Sequence, residues 1–151
     1  MTIVGIDPGK NGGIAWQHQG QDIAVEKMPD TLKDLSDLLL DIRTGASGNM
    51  MAYLEQVHAG VFRGGSQMGV TSAFTFGQGF GHLEMGLTAH EIPFVRVRPI
   101  EWQTAMGCKT GGDKNVSKKR AQELVPHVSM THAKADACLI CLYGVRTHRV
   151  L

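Results

Sequence analysis

The sequence predicts an α/β fold in which five short strands are flanked by helices. Three observations predict it. Apolar, β-forming runs over residues 2–7, 13–17 and 22–28 are separated only by glycine-containing turns, the short spacing of an antiparallel meander. Two further apolar runs, 50–57 and 94–98, each follow a longer segment with helical character. The last third carries two more helical patterns, 113–124 and 132–148, and no repeat, linker or low-complexity tract interrupts the series.

Each element has a local reason. Ile3, Val4 and Ile6 are β-formers, and Gly and Pro bound their run. Leu32, Leu35, Leu39 and Ile42 recur at helical spacing over 30–43, with Thr31 and Asp34 placed as a capping box. The stretch 45–49 ends that helix. Residues 58–70 are dense in glycine and polar groups and read as a mobile loop, a place where function often sits. Residues 71–90 read as a helix despite Gly77, Gly79, Gly81 and Gly86, each costing about 1 kcal/mol relative to alanine. A close approach accounts for that density, either across a homodimer interface or against the sheet. Pro99 opens a short helical turn through Trp102, and Gly107, Gly111 and Gly112 surround Lys109 in a loop. The basic helix 113–124 ends before Pro126, and the Ala- and Leu-rich segment after Thr131 forms the last helix.

The chemistry begins with Asp7, at the end of the first strand. Aspartate is depleted in strands and seldom buried without a partner. A metal ion is one such partner; a turn-opening Asp-Pro-Gly is the plainer alternative. Side chains alternate along a strand, so Met51, Tyr53 and Glu55 share a face, and this strand is expected beside the first so that Asp7 and Glu55 meet. His132 and Asp136 lie four apart and stack on one helical face. Asp136 is flanked by Ala133, Ala137, Leu139 and Ile140, surroundings in which an isolated carboxylate is costly and a divalent cation reverses the preference. A helix-start aspartate and a capping histidine fit the same positions. Taken together, Asp7, Glu55, His132 and Asp136 form a ligand set suited to Mg²⁺ or Mn²⁺. Two such ions clamp the attacking and leaving oxygens of a phosphodiester displacement.

The ordered pieces Gly5-Ile6-Asp7-Pro8-Gly9, Leu54-Glu55-Gln56-Val57, Phe74-Thr75-Phe76-Gly77-Gln78-Gly79-Phe80-Gly81 and Ala135-Asp136-Ala137 give the chain a family likeness. It resembles the RuvC-type Holliday-junction resolvases of the RNase H-like superfamily over nearly its whole length, and most of all their short bacteriophage branch. The resemblance implies an RNase H-like mixed five-stranded sheet flanked by helices. It also implies two Mg²⁺ ions per site, with Mn²⁺ as a substitute, and cleavage of four-way and other branched DNA to 5′-phosphate products. Paired nicks require two sites and hence a two-fold homodimer. The pattern departs at His132, where many relatives carry a carboxylate and some a histidine. Lys114 matches a lysine that relatives hold before a helix, which adds it to the catalytic set. His58 stands where some relatives place a base-stacking aromatic; an imidazole can stack or hydrogen-bond there, or be an ordinary loop histidine.

Length and charge bound the rest. A chain of 151 residues fits one domain, 1–151, with its own core. No apolar run approaches the roughly 18–20 residues of a membrane span, and no signal segment opens the chain. Three cysteines, an odd number, argue against a disulfide framework. Cys138 and Cys141 lie in an apolar helical run and read as buried thiols, so a reducing cytoplasm is expected. The formal net charge is only +1, but residues 96–120 hold seven basic residues against two acidic ones, the footprint of phosphate contact. The candidate DNA contacts are therefore His58, Arg63, Phe76, Lys109, Lys114, Lys118 and Lys119. Phe74, Phe76 and Phe80 cannot share one helical face, so core packing is expected for at least one of them.

Three rival readings are weighed by the same residues. Actin-like and sugar-kinase ATPases share Gly-x-Asp-x-Gly but need two lobes, for which 151 residues leave no room. A nuclease acting on RNA–DNA hybrid uses the same carboxylates. A junction-binding protein without catalysis is supported by His132 in place of a carboxylate.

Overall fold

The computed structural model describes residues 1–57 and 69–149. Its centre is β1 (Thr2–Asp7), which pairs antiparallel with β2 (Gly13–Gln17) on one side and parallel with β4 (Met50–Glu55) on the other. The short strand β3 (Ala24–Lys27) extends the meander beyond β2, and β5 (Phe94–Val97) runs parallel to β4. The mixed sheet thus has the order β3-β2-β1-β4-β5. Helix α1 (Leu32–Gly45) carries the chain from β3 back to β4, and α2 (Val70–Ala89) precedes β5. Three helices follow: α3 (Pro99–Met106), α4 (Lys114–Leu124) and α5 (His132–Arg149).

Strand alternation sorts the core into two layers. Val4, Ile6, Ala52 and Leu54 face Leu39, Ile42, Leu83 and Leu87 of α1 and α2. Ile3, Tyr53 and Val97 face the other way, into a cluster with Trp102, Met106, Ala121, Leu139 and Ile140 from α3, α4 and α5. Asp7 and Glu55 share the parity of Ile3 and Tyr53, so both belong to the α5 layer. Ile6 pairs with Leu54 in the parallel ladder, which brings the next residue of each strand, Asp7 and Glu55, to the same edge of the sheet.

Two glycines let α5 lie directly on this sheet. A Cβ on Gly5 would meet the Ala137 carbonyl oxygen at 2.5 Å, and one on Gly13 would meet the Ala133 carbonyl oxygen at 2.6 Å. The Asp136 turn of α5 is thereby pressed against the ends of β1 and β2.

The expected elements are all present, with shifted ends. The α1 cap is Thr31, whose hydroxyl oxygen accepts from the Asp34 amide. The third strand begins at Ala24 instead of residue 22. The turn expected over 99–102 is a full helix to Met106. Its start is held by Glu101, which accepts from the Arg98 amide at 3.0 Å and from its guanidinium at 2.7 Å. Gly107, at φ 68°, closes the other end in the left-handed conformation. Among the described residues no helix is long and apolar enough to cross a membrane. Cys108, Cys138 and Cys141 are buried and unpaired, and burial pushes the Cys138 thiol up to about 12.

Candidate active site

Three carboxylates expected from the sequence converge where β1, β4 and α5 meet. Asp7 is buried, with 7% of its surface exposed. Burial raises its pKa well above the ordinary carboxylate range, and the nearby negative charges of Glu55 and Asp136 raise it further. Burial likewise pushes Glu55 up to about 7. Asp7 and Glu55 influence each other's titration and both are raised, so the pair holds its protons more tightly than free carboxylates do. The Asp136 carboxyl is also raised, chiefly by burial, and Ser117, Lys114 and His132 oppose that shift.

Helix α4 supplies further polar partners. Its N-cap is Asp113, which accepts from the Asn115 amide at 2.9 Å. The cap places Lys114 at the first helical position, and its ammonium favours the charged form of all three carboxylates. One turn on, buried Ser117 faces Asp136. The apolar surroundings expected for Asp136 are thus only half of its environment. The neighbours Ala133, Ala137, Leu139 and Ile140 on α5 are apolar, but α4 crosses over them with a hydroxyl and a lysine, a contact that spacing along α5 does not reveal.

His132 stands apart from the three carboxylates, of which Asp7 is buried and Glu55 and Asp136 are half-buried. Its ring is exposed, its Nε2 pairs with Asn115 Oδ1 at 3.1 Å, and its charge bears on Asp136. Lys109, Lys118 and Lys119 are exposed; the last two, with Asn115, Gln122 and Glu123, border a shallow depression of about 550 Å³ on α4. Phe76 is half-buried, with its ring against Gly9 in the turn after β1. Phe80 packs on the α1–α2 layer with Arg96 over its ring, and Phe74 is 67% exposed. His58 and Arg63, together with most of the loop expected over 58–70, lie outside the described residues. A groove of about 770 Å³ between α1, α2 and the turn after β1 is lined by Lys10, Phe76 and His82, among others, but by none of the three carboxylates.

Sequence reasoning missed three residues of this site. The Trp102 indole N–H donates to Glu55 Oε1 at 2.9 Å, and Ser117 and Asn115 attend Asp136 and His132. Only Ser117 left a trace, one helical turn beyond Lys114 on the same face.

Two features bear on whether divalent ions fit here. Asp136 Oδ1 and Ser117 Oγ are buried without a hydrogen-bond partner among the described residues; the hydroxyl stabilises the Asp136 charge without forming a full bond. Such an orphaned oxygen is costly. Three crowded carboxylates add a repulsion that a hard cation with oxygen preference relieves. Among the described residues no three His, Cys, Asp or Glu side chains stand in a ready-made metal cage. The donor chemistry, grouped carboxylate oxygens, fits a hard divalent cation.

Comparison with solved structures places the fold. Two structures of RuvC from Thermus thermophilus, one of them in complex with a Holliday junction substrate, each match with a TM-score of 0.65 and 15% sequence identity. Each match covers 99% of this chain and 96% of the other. The chain therefore has the RNase H-like fold of RuvC: a mixed five-stranded sheet flanked by helices. At this identity the likeness is one of fold. No protein-family model matches the sequence, and no curated protein matches it either.

Proposed function

We propose that the chain is a divalent-metal-dependent endodeoxyribonuclease that cuts four-way and related branched DNA as a homodimer, in the manner of the short bacteriophage branch of RuvC-type resolvases. The observation that carries this reading is the convergence of Asp7, Glu55 and Asp136 around the charge of Lys114, in a fold shared with a RuvC seen on a Holliday junction. Spatially grouped carboxylates with raised pKa values are a mark of a working site.

Asp7, Glu55 and Asp136 would hold the ions, with His132 as a ligand at the rim beside Asp136. A bound pair of Mg²⁺ or Mn²⁺ ions supplies Lewis-acid charge at the attacking water and at the departing 3′-oxygen. Lys114 meets a non-bridging oxygen of the scissile phosphate and stabilises the charge that builds there. Lys109, Lys118 and Lys119 hold the flanking strand by its phosphates. The reaction joins a water oxygen to phosphorus and breaks the bond to the 3′-oxygen, leaving a 5′-phosphate and a 3′-hydroxyl.

Helix α2 supports the homodimer. Val70, Phe74 and Met85 are exposed along one face, and a Cβ added at Gly77 or Gly81, which lie between them, would meet nothing within 4 Å among the described residues. Of the four helix glycines, only Gly86 is explained among the described residues, by Leu39 at 2.8 Å. A second copy seated on this face would use the glycines that the first leaves unexplained and would supply the second site for paired nicks. One domain in the reducing cytoplasm of a bacterial or phage-infected cell completes the reading, in keeping with three free, buried cysteines.

The exposed His132, engaged by Asn115, favours a second reading, a junction-binding protein without catalysis. The discriminating experiment incubates the protein with a labelled four-way junction, a duplex and an RNA–DNA hybrid, each with Mg²⁺, Mn²⁺ or EDTA. Metal-dependent cutting confined to the junction is expected. Binding without cutting would favour the second reading, and preferred cutting of the hybrid would reassign the substrate.

A further inference from the structure

We infer that Trp102 is a positioning residue for Glu55: its indole N–H fixes one carboxylate oxygen and leaves the other to a divalent ion. The inference rests on the reading of Glu55 as a metal ligand given above. Trp102 is 1% exposed, so its single N–H has no water to bond and requires an acceptor within the protein. The acceptor is Glu55 Oε1 at 2.9 Å, 47 residues away in sequence.

The donor is held on rigid supports. Helix α3 is fixed at its start by the Arg98–Glu101 contacts and at its end by Gly107. The indole belongs to the buried cluster that includes Val97, Met106 and Cys108. A packed aromatic ring with only two side-chain torsions keeps its N–H direction. Glu55 is the last residue of β4, and the indole is the donor that fixes its Oε1.

The chemistry of the donor matters as much as its position. A lysine or arginine here would hold the carboxylate but place a positive charge beside the cation. The indole N–H is neutral, so it orients the carboxylate and leaves its full negative charge available. Outer partners of this kind are worth about 10–100-fold in metal affinity. A tryptophan that merely satisfies its own N–H would contribute to stability and not to ion affinity, and the two roles separate experimentally.

The test is calorimetric titration of the DNA-free protein with Mn²⁺. Trp102→Phe keeps an aromatic ring and removes the donor; it is expected to bind Mn²⁺ about 10-fold more weakly than wild type, while Glu55→Gln loses most binding. Equal affinity of Trp102→Phe and wild type would overturn the positioning role and leave the Glu55 reading standing. Failure of the wild type to bind Mn²⁺ at millimolar concentration would overturn both. A second measurement does not depend on that variant. The chain has two tryptophans, so in Trp16→Phe the only indole is Trp102. Its emission is expected to change on addition of Mn²⁺, and to stay unchanged when Glu55→Gln is added to the same background. Emission indifferent to an ion that calorimetry shows to be bound would overturn the proposal.

Discussion

Gly5 lies so close to Cys141 that a Cβ on the glycine would stand 2.2 Å from the cysteine backbone nitrogen. The contact is backbone against backbone, so no side-chain rotation relieves it. It is also the contact that lowers α5 onto β1 and brings Asp136 to Asp7. Gly5→Ala is therefore expected to destabilise the protein by ~3 kcal/mol or more, at the upper end of overpacking costs. Urea unfolding measures this directly. An unchanged midpoint would mean that α5 seats differently.

This contact illustrates what was legible in the sequence. The strand ends carrying Asp7 and Glu55, the Thr31 cap and the His132–Asp136 face are local patterns, and periodicity and capping chemistry suffice to place them. The reach of Trp102 to Glu55 is not local, because it depends on how far α3 extends and where it packs. The crossing of α4 over α5, which sets Ser117 and Asn115 against Asp136 and His132, is equally a tertiary event. The glycines of α2 show the opposite limit. Their abundance was plain, but only the built helix separates Gly86, where an added Cβ meets Leu39, from Gly77, Gly79 and Gly81, where it meets nothing within 4 Å among the described residues.

Stability of the metal-free protein is expected to fall as pH rises. Burial holds the folded Glu55 near 7 against an ordinary value of 4.5, and Asp7 and Asp136 are raised as well. Below about pH 4 the carboxyls are protonated in both states, and the contribution to stability is fully present. As pH rises through about 7, the unfolded chain has already released protons that the folded protein must still give up, so the contribution is lost. Thermal unfolding in EDTA should show a higher Tm near pH 5 than near pH 8 from these groups. Glu55→Gln should flatten the difference, and Mg²⁺ should raise the Tm more at pH 8 than at pH 5. A profile that Glu55→Gln leaves unchanged would remove Glu55 from this linkage.

His132 separates the rim from the buried centre. His132→Asp is expected to keep or raise Mg²⁺-dependent cleavage, because a carboxylate is the harder ligand. His132→Ala is expected to lose most of it. Full activity of the alanine variant in a junction-cleavage assay would make His132 a structural partner of Asn115 and leave three carboxylates as sufficient.

Lys114 should behave unlike its neighbours. Its charge bears on all three carboxylates, so Lys114→Ala is expected to lower the single-turnover cleavage rate more than it lowers DNA affinity. Lys118→Ala and Lys119→Ala should weaken binding broadly and reduce its salt dependence by roughly one unit of slope for each phosphate no longer engaged. Equal effects on affinity for all three, with no separate effect of Lys114 on rate, would make the cluster only a phosphate-binding face.

The central claim is that Asp7, Glu55 and Asp136 form one metal-dependent nuclease site. Its most direct test compares wild type with Asp7→Asn, Glu55→Gln and Asp136→Asn on one labelled four-way junction, with binding and cleavage measured in parallel at saturating Mg²⁺. The account predicts that wild type nicks the junction, and that each variant binds it with near-unchanged affinity yet fails to cut, because the ligand charge is lost and the basic surface remains. Normal cutting by any of the three variants would contradict the account by removing that residue from the site.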